Sequence, residues 1–241
     1  VIALDYSNPE MRAAMLDAMT YWLKEVDVDG YRCDVAGGVP SDFWETARKQ
    51  LESIKPVFML AENEDTPRLL EKAFDMIYSW KLYKLMNRLA QGEANVQDLR
   101  DYFAWEKSIY PQAAYRMRFL TNHDENSWNG TIKERLGDTF KTFAVLIYTL
   151  PGMPLLYNGQ EVGNDQHLAF FEKDPIVWKD NDLPQFYQQL NDLKANNPAL
   201  WNGNFGGDFT MLPVANPQTV FAFTRETGDN KLVVAFNFSD E

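Results

Sequence analysis

The chain has 241 residues, enough for one large α/β domain or two smaller ones with a sizeable core. Apolar residues make up 45% of it, which indicates a folded globular chain and excludes a disordered one. Its formal net charge of −12 argues against nucleic acid and anionic membranes as partners, because binding to phosphate needs lysine and arginine.

Cysteine, histidine and hydropathy narrow the possibilities further. Cys33 is the only cysteine, so no intrachain disulfide can form, and His123 and His167 are the only histidines, so no Cys/His metal cluster can be built. We find no apolar run long enough to span a bilayer. The sequence begins with Val1 and not with methionine, in the middle of the segment VIALDYSNPE, so we expect it to be part of a longer protein. Its localisation is unknown.

Apolar periodicity and turn residues predict strands that alternate with helices. The first helix follows Asn8 as N-cap and Pro9 as first helical residue, and Ser41 is the predicted cap of the second helix. The other predicted helices are TPRLLEKAF, LYKLMNRLA, VQDLRDYFAWEKSIY, TFKTFAVLIYTL and PQFYQQLNDLKANNP. The predicted strands are DVDGYRCDV, KPVFMLAE, DMIYSW, YRMRFLTNHD and MPLLYNGQE.

This alternation predicts parallel strands joined by helical crossovers, because a tight turn cannot reach a parallel neighbour. The pattern changes after Pro198, where FTMLPV, TVFAFTR and KLVVAFNFS read as short strands separated by Asn-Pro and Gly-Asp-Asn turns. We therefore predict two domains, an α/β domain over residues 1–203 and the start of an antiparallel β domain over residues 204–241.

Charged residues stand where the strands end. Arg32 and Asp34 share one face of a strand whose other residues are predicted to be buried. Three predicted strands also end on a carboxylate, namely Asp34, Glu62 and Asp124. Each one alone has an ordinary explanation as a helix cap, a loop ligand or half of a structural ion pair. In parallel α/β folds, however, ligands bind at the carboxyl ends of strands. Three carboxylates at such ends therefore indicate one cleft, because packing alone does not favour repelling charges.

Four segments resemble conserved segments of the α-amylase family of glycoside hydrolases. They are GYRCDVA at 30–36, MLAE ending at Glu62, FLTNHD ending at Asp124, and GMPLLYNGQE at 152–161. Their order and spacing also match, and the similarity covers nearly the whole chain. The resemblance implies a partial (β/α)8 TIM barrel, with about five of its eight β/α units in residues 1–203, followed by the small antiparallel β module.

The resemblance also implies roles for particular residues. Asp34 matches the catalytic nucleophile, Glu62 the general acid/base and Asp124 the third carboxylate, which holds sugar hydroxyls. Arg32 matches the arginine that pairs with the nucleophile, and His123 the histidine that binds the reacting sugar. A cation within about 4–6 Å lowers a carboxyl pKa by roughly 1–3 units, so we expect Arg32 to keep Asp34 ionised.

The implied activity is that of a retaining glycoside hydrolase acting on α-1,4-linked glucans such as starch and maltooligosaccharides. Such an enzyme holds its two carboxyls about 5–5.5 Å apart, so that one can form a covalent glycosyl intermediate. The chemistry needs no cofactor. A structural calcium occurs in the family, but this segment does not support one, because Gly37 and Gly38 stand where many relatives carry Lys-His.

Several alternatives stay open at this stage. One is a transglycosylase of the same family, and another is a non-catalytic relative that only binds carbohydrate. A magnesium-dependent barrel enzyme is disfavoured, because DMIYSW ends on Ser79 and Trp80 and no catalytic base is evident. Five parallel strands cannot close an eight-stranded barrel, so we expect the 241-residue chain alone to be inactive and to self-associate or need a missing N-terminal half.

Overall fold

The computed structural model describes residues 4–239, and they form two compact units. One unit contains the residues up to Tyr78 together with Ile109–Ala114, and the other contains Ser79–Ser108 and the residues from Tyr115 on.

In the first unit, helices alternate with strands as the sequence predicts. Its elements are α1 (Pro9–Glu25), β1 (Gly30–Cys33), α2 (Ser41–Glu52), β2 (Phe58–Ala61), α3 (Leu69–Lys72) and β3 (Met76–Tyr78). The three strands pair in parallel in chain order, with Arg32 opposite Leu60 and Ala61 opposite Ile77. Because the pairing is parallel and in step, the carboxyl ends of the three strands lie at one edge of this sheet.

The two predicted helix caps of this unit have different outcomes. The Asn8 side chain accepts hydrogen bonds from the N–H groups of Glu10 and Met11, so its predicted role as N-cap of α1 is confirmed. The prediction for Ser41 is wrong, because α2 begins at Ser41 itself, follows Pro40 and has no side-chain cap. The Pro40 carbonyl accepts from the N–H groups of Phe43 and Trp44 at 3.0 and 3.4 Å, so the backbone closes the first turn without a capping side chain.

The second unit contains helices, two parallel strands and an antiparallel sheet. Its elements are α4 (Trp80–Ala90), α5 (Val96–Ile109, whose last residue belongs to the first unit), β4 (Tyr115–Phe119), α6 (His123–Trp128), α7 (Ile132–Leu136), α8 (Phe140–Thr149), β5 (Met153–Leu155), α9 (Leu183–Asn196), β6 (Asp208–Met211), β7 (Val220–Thr227) and β8 (Asn230–Asn237). Strands β4 and β5 pair in parallel, whereas β6, β7 and β8 pair antiparallel, as the change of pattern after Pro198 predicts.

Two short helices of this unit were not predicted. The strand predicted over YRMRFLTNHD ends at Phe119, and α6 begins at His123 because the Asn122 side chain caps it. Helix α7 begins with a capping box in which Thr131 and Glu134 bond each other's backbone N–H groups. In both places a local cap starts a helix that apolar periodicity over so few residues cannot reveal.

The core of the second unit is shared by its helices and its antiparallel sheet. Buried side chains of α4, α5, α8 and α9 pack in one cluster with Phe221, Phe223 and Phe236 from β7 and β8. The Phe103 ring of α5 stacks on Phe221, with centroids 5.7 Å apart. The predicted domain boundary near residue 203 stays a prediction.

Candidate active site

Three of the five predicted site residues lie together in the first unit. Arg32 lies on β1, Asp34 directly follows β1, and Glu62 directly follows β2. Cys33 pairs with Ala61 in the parallel register, so the two carboxylates leave neighbouring strands at the same end. The sheet geometry alone therefore brings Asp34 and Glu62 to one place.

The Arg32 guanidinium contacts both carboxylates. Its Nη1 lies 2.5 Å from Asp34 Oδ1 and its Nη2 lies 3.0 Å from Glu62 Oε1, while its Nε donates to the Tyr78 hydroxyl at 3.2 Å. The expected hydrogen bond between Arg32 and Asp34 is present. Burial alone would lower the pKa of Arg32, but the hydrogen bonds to Tyr78 and Asp34 and the nearby Glu62 raise it instead. Arg32 is therefore a fixed positive charge between the two carboxylates.

The two carboxylates differ in exposure and in hydrogen bonding. The Asp34 side chain is 77% exposed, whereas that of Glu62 is only 16% exposed. Glu62 Oε2 accepts from the backbone N–H of Val35 at 2.7 Å, and its Oε1 faces Arg32. A backbone N–H therefore fixes one oxygen of Glu62, and the Arg32 guanidinium lies against the other. Asp34 is open to an incoming ligand, and Glu62 is held beside it.

The backbone after Asp34 is strained. Val35 has φ of +42°, in the left-handed region that a β-branched residue adopts only at a cost, although its side chain is 62% exposed. This conformation aims the Val35 N–H at Glu62. Two further backbone bonds join the segments, from Glu62 N–H to Cys33 O at 2.9 Å and from Ala36 N–H to Glu62 O at 3.2 Å. The strain thus coincides with the segment that fixes the two carboxylates.

A short 3-10 turn, Ala36–Gly38, follows the strained residue. A Cβ atom added at Gly37 would come within 2.2 Å of the Asn63 side-chain nitrogen. Glycine at this position therefore leaves room for the Asn63 side chain against the turn.

His123 and Asp124 lie in the second unit, in the first turn of α6. The Asn122 side chain accepts from the N–H groups of Asp124 and Glu125 at 3.0 and 2.8 Å, and this cap fixes the turn. His123 Nε2 lies 3.5 Å from Asp124 Oδ2. Burial and the nearby Asp124 carboxylate raise the pKa of Tyr157. A carboxylate, an imidazole and a phenol thus lie in one part of this unit.

The buried Glu125 anchors helix α6 through side-chain hydrogen bonds. The Tyr83 hydroxyl donates to Glu125, and Asn129 Nδ2 donates to its Oε2 at 2.9 Å. Burial raises the pKa of Tyr83 despite the opposing effect of Arg135, whose guanidinium lies over the Tyr83 ring at 5.1 Å. The anchor holds the helix turn that carries His123 and Asp124.

The predicted residues therefore form two groups, Arg32 with Asp34 and Glu62 in one unit and His123 with Asp124 in the other. The convergence of Asp124 with the first group stays a prediction. Sequence reasoning missed Tyr78 and the Val35 N–H as partners of this site. A signal for Tyr78 existed, since it is the last residue of β3 and the strand register places it at the edge where Glu62 follows β2.

Two other features are absent from the part of the chain that the structure describes. No group of three or more histidine, cysteine, aspartate or glutamate side chains in residues 4–239 is arranged to hold a metal ion. No helix within the same range has the length and apolarity needed to cross a membrane.

Comparison with known proteins defines the class to which this arrangement belongs. The family model for the alpha amylase catalytic domain matches residues 2–231. A solved structure, a noncanonic maltogenic alpha-amylase from Thermotoga neapolitana, superposes with a TM-score of 0.86 at 29% identity, covering 98% of this chain and 54% of that one. The chain belongs to the α-amylase family.

Curated relatives agree with this assignment. Alpha-amylase 2 of Dictyoglomus thermophilum is 26% identical over 256 residues, which are 99% of this chain and 44% of the relative. Maltogenic alpha-amylase of Bacillus acidopullulyticus is 27% identical over 246 residues, or 96% of this chain and 41% of the relative. The chain thus spans less than half the length of these two relatives. The predicted fold class, a partial (β/α)8 barrel followed by a small antiparallel β module, is confirmed.

Proposed function

We propose that the natural full-length protein is a retaining glycoside hydrolase that cleaves α-1,4 bonds in starch and maltooligosaccharides. The observation that carries the proposal is the guanidinium of Arg32 shared by two carboxylates at neighbouring strand ends. The names of the relatives, alpha-amylase and maltogenic alpha-amylase, support an α-glucan as the substrate class. The inactivity of the 241-residue chain alone stays a prediction.

In the first half-reaction, an Asp34 oxygen attacks the anomeric carbon from one face of the sugar ring. The bond between that carbon and the glycosidic oxygen breaks, and Glu62 gives its proton to the leaving oxygen. Positive charge develops on the ring in an oxocarbenium-like transition state, so an ionised Asp34 stabilises it. The hydrogen bond from Arg32 Nη1 holds the Asp34 side chain in place.

In the second half-reaction, the roles of the two carboxylates change. Glu62, now a carboxylate, takes a proton from water, and the water oxygen attacks the anomeric carbon and releases Asp34. The hydrogen bond from the Val35 N–H and the contact with Arg32 support this role, since they hold Glu62 beside Asp34. For the first step Glu62 carries the proton that passes to the leaving oxygen. His123 and Asp124 would hold hydroxyl groups of the reacting sugar.

The test replaces Asp34 by asparagine in the natural full-length protein, with maltoheptaose as substrate. An amide is a far weaker nucleophile than a carboxylate, so kcat is expected to fall by about 10³-fold or more. Asp17→Asn is the matched control, because it makes the same chemical change on the exposed face of α1 in the same unit.

The anomeric form of the first product tests the stereochemistry. Proton NMR of the fresh hydrolysate is expected to show the α-anomer, because two displacements restore the original configuration. A β-anomeric first product would overturn the retaining mechanism, and undiminished hydrolysis by Asp34→Asn would overturn the assignment of the nucleophile.

A further inference from the structure

Three exposed aromatic side chains in the second unit contact one another. Trp128, Phe170 and Phe171 are 62%, 40% and 82% exposed. The Trp128 and Phe170 ring centroids are 5.4 Å apart, those of Phe170 and Phe171 are 4.8 Å apart, and those of Trp128 and Phe171 are 6.4 Å apart. We call this group the aromatic platform. Single exposed apolar residues are common, but a contiguous exposed cluster of large rings marks a binding surface.

The aromatic platform is continuous with a predicted sugar-binding residue. The Phe170 ring stacks on the His123 imidazole, with centroids 6.0 Å apart and ring planes 27° apart. His123 in turn lies 3.5 Å from the Asp124 carboxylate. A ligand held by His123 and Asp124 would therefore meet Phe170 first and the other two rings beyond it.

Side-chain hydrogen bonds hold the platform in shape. Trp128 ends α6, and the loop that carries Phe170 and Phe171 is tied to the same helix. Ser127 Oγ donates to Leu168 O at 2.7 Å, Leu168 N–H donates to Asn126 Oδ1 at 2.9 Å, and Asn126 Nδ2 donates to Gln166 O at 3.1 Å. A surface whose rings are fixed before binding loses less entropy when a ligand arrives.

The chemistry of the platform fits a glucosyl ring. A pyranose presents C–H groups on its faces and hydroxyl groups around its edge, so it can stack on an aromatic ring while its hydroxyls stay in water or bind polar neighbours. All three rings are exposed, so they offer a ligand one open face, and the net charge of −12 disfavours an anionic ligand. An uncharged, extended glucan meets both conditions.

We propose that Trp128, Phe170 and Phe171 form a binding platform for a glucosyl unit of the α-glucan chain, next to the unit held by His123. The inference rests on the proposed function, since it names a further part of the same substrate site. The platform selects for longer chains, because a glucan too short to reach it gains nothing from the rings.

The first test compares a long and a short substrate in the natural full-length protein. For Trp128→Ala and Phe171→Ala, kcat/KM on maltoheptaose is expected to fall by roughly tenfold more than kcat/KM on a chromogenic maltoside, given the usual worth of an aromatic contact. Trp128→Phe keeps an aromatic face and should restore most of the loss. Phe205→Ala is the control, because it removes another exposed aromatic ring, 71% exposed, outside the platform.

The second test measures binding without catalysis. In Glu62→Gln, the intrinsic tryptophan fluorescence is expected to change on titration with maltoheptaose, and the added Trp128→Ala change should weaken binding by about tenfold as measured by calorimetry. Loss of this binding difference would overturn the platform even if the hydrolase proposal holds. If the binding difference is present but the wild-type protein hydrolyses no glucan, the platform is supported and the proposed function is overturned.

Other outcomes also decide the matter. Equal losses on maltoheptaose and on the short maltoside would mean that the rings only support the fold, which overturns the proposal. Unchanged glucan kinetics together with a lower mass in solution, measured by sedimentation, would mean that the rings contact another protein chain, and that result overturns it as well.

Discussion

Two arginine–carboxylate clusters in this chain use the same groups in opposite surroundings. In the first unit, Arg32 joins Asp34 and Glu62 at the strand ends, and the Asp34 side chain is 77% exposed. In the second unit, Arg116 and Arg118 of β4 pair with Glu106 of α5, and the three side chains are 5%, 0% and 11% exposed. Only the first cluster leaves a carboxylate open to solvent.

The buried cluster satisfies its carboxylate fully. Arg118 bonds both Glu106 oxygens, at 2.8 and 2.6 Å, while Arg116 Nε and the Tyr102 hydroxyl donate to Oε1 at 3.0 and 2.6 Å. Burial raises the pKa of Glu106, but the two arginines outweigh it and lower that pKa to about 2. Such a group has no acceptor capacity left for a ligand.

Solvent access and unused acceptor sites separate the reactive charge cluster from the structural one. Both clusters place an arginine on a strand, so residue type and strand position do not distinguish them. What differs is the number of unused acceptor sites and the access of solvent. Asp34 has both unused acceptor sites and access to solvent. The strained backbone of Val35, the next residue, is a further conformational cost at this site.

Glu106→Gln should lower the free energy of unfolding strongly. The change leaves two buried arginines without their counter-charge, and breaking a buried ion pair in this way costs about 3–5 kcal/mol of unfolding free energy. Urea unfolding followed by circular dichroism measures this loss. Glu93→Gln, on an exposed loop, is the control and should stay within about 0.5 kcal/mol. A loss below about 1 kcal/mol for Glu106→Gln would show that the buried cluster adds little.

The pH dependence of stability should report the same carboxylate. Its folded pKa of about 2 lies below the ordinary value of 4.5, so its contribution is fully present above pH 4.5 and is lost as the pH falls towards 2. The contribution is on the order of 3 kcal/mol. The stability difference between the wild type and Glu106→Gln should therefore shrink over this window. A difference that stays constant from pH 5 to pH 2.5 would contradict the low pKa.

In the exposed cluster, Arg32→Lys should affect catalysis more than stability. The charge is kept, but one ammonium cannot contact two carboxylates and the Tyr78 hydroxyl as the planar guanidinium does. We expect kcat on maltoheptaose to fall by about 10²-fold, or about 2.7 kcal/mol, and the unfolding free energy to change by less than about 1 kcal/mol. Arg12→Lys, in the exposed pair with Asp42, is the control. Activity within threefold of wild type would remove Arg32 from the mechanism.

A smaller effect is expected from Val35→Gly. Glycine adopts φ of +42° without steric cost, so relief of strain offsets the entropy that glycine adds to the unfolded chain, and stability should rise by at most about 1 kcal/mol. Val26→Gly is the matched control, because Val26 is 50% exposed with an ordinary φ of −109° and should lose stability. Equal losses for the two variants in urea unfolding would show that the Val35 backbone stores no strain.

The sequence predicted most of the fold because its signals are local. The Asn8 cap, the apolar strands and the turn residues after Pro198 each act within a few residues, and the structure confirms them. The helix that begins at His123 was not predicted. The apolar strand pattern before it continues into FLTNHD, so the sequence favoured a longer strand over a helix capped by Asn122. A local cap competes with an apolar run, and over six residues periodicity cannot decide between them.

Contacts over long sequence separations account for what the sequence did not predict. The pairing of Glu106 with Arg116 and Arg118 was missed, although two arginines on one face of a buried strand require a counter-charge. The aromatic platform was missed because Trp128 and Phe170 are 42 positions apart and meet only through loop geometry. For Arg32, Asp34 and Glu62, by contrast, parallel pairing alone predicted the meeting of the side chains.

Covalent labelling shows directly whether Asp34 is the nucleophile. In Glu62→Gln, α-maltosyl fluoride can still react, because fluoride leaves without an acid, but the intermediate persists since no base activates water. Mass spectrometry of the quenched full-length protein is expected to show one added maltosyl group on the peptide that contains Asp34, and none in the Asp34→Asn, Glu62→Gln double variant. A label on another residue, or turnover of the fluoride by the double variant, would contradict the assignment of Asp34 as the nucleophile.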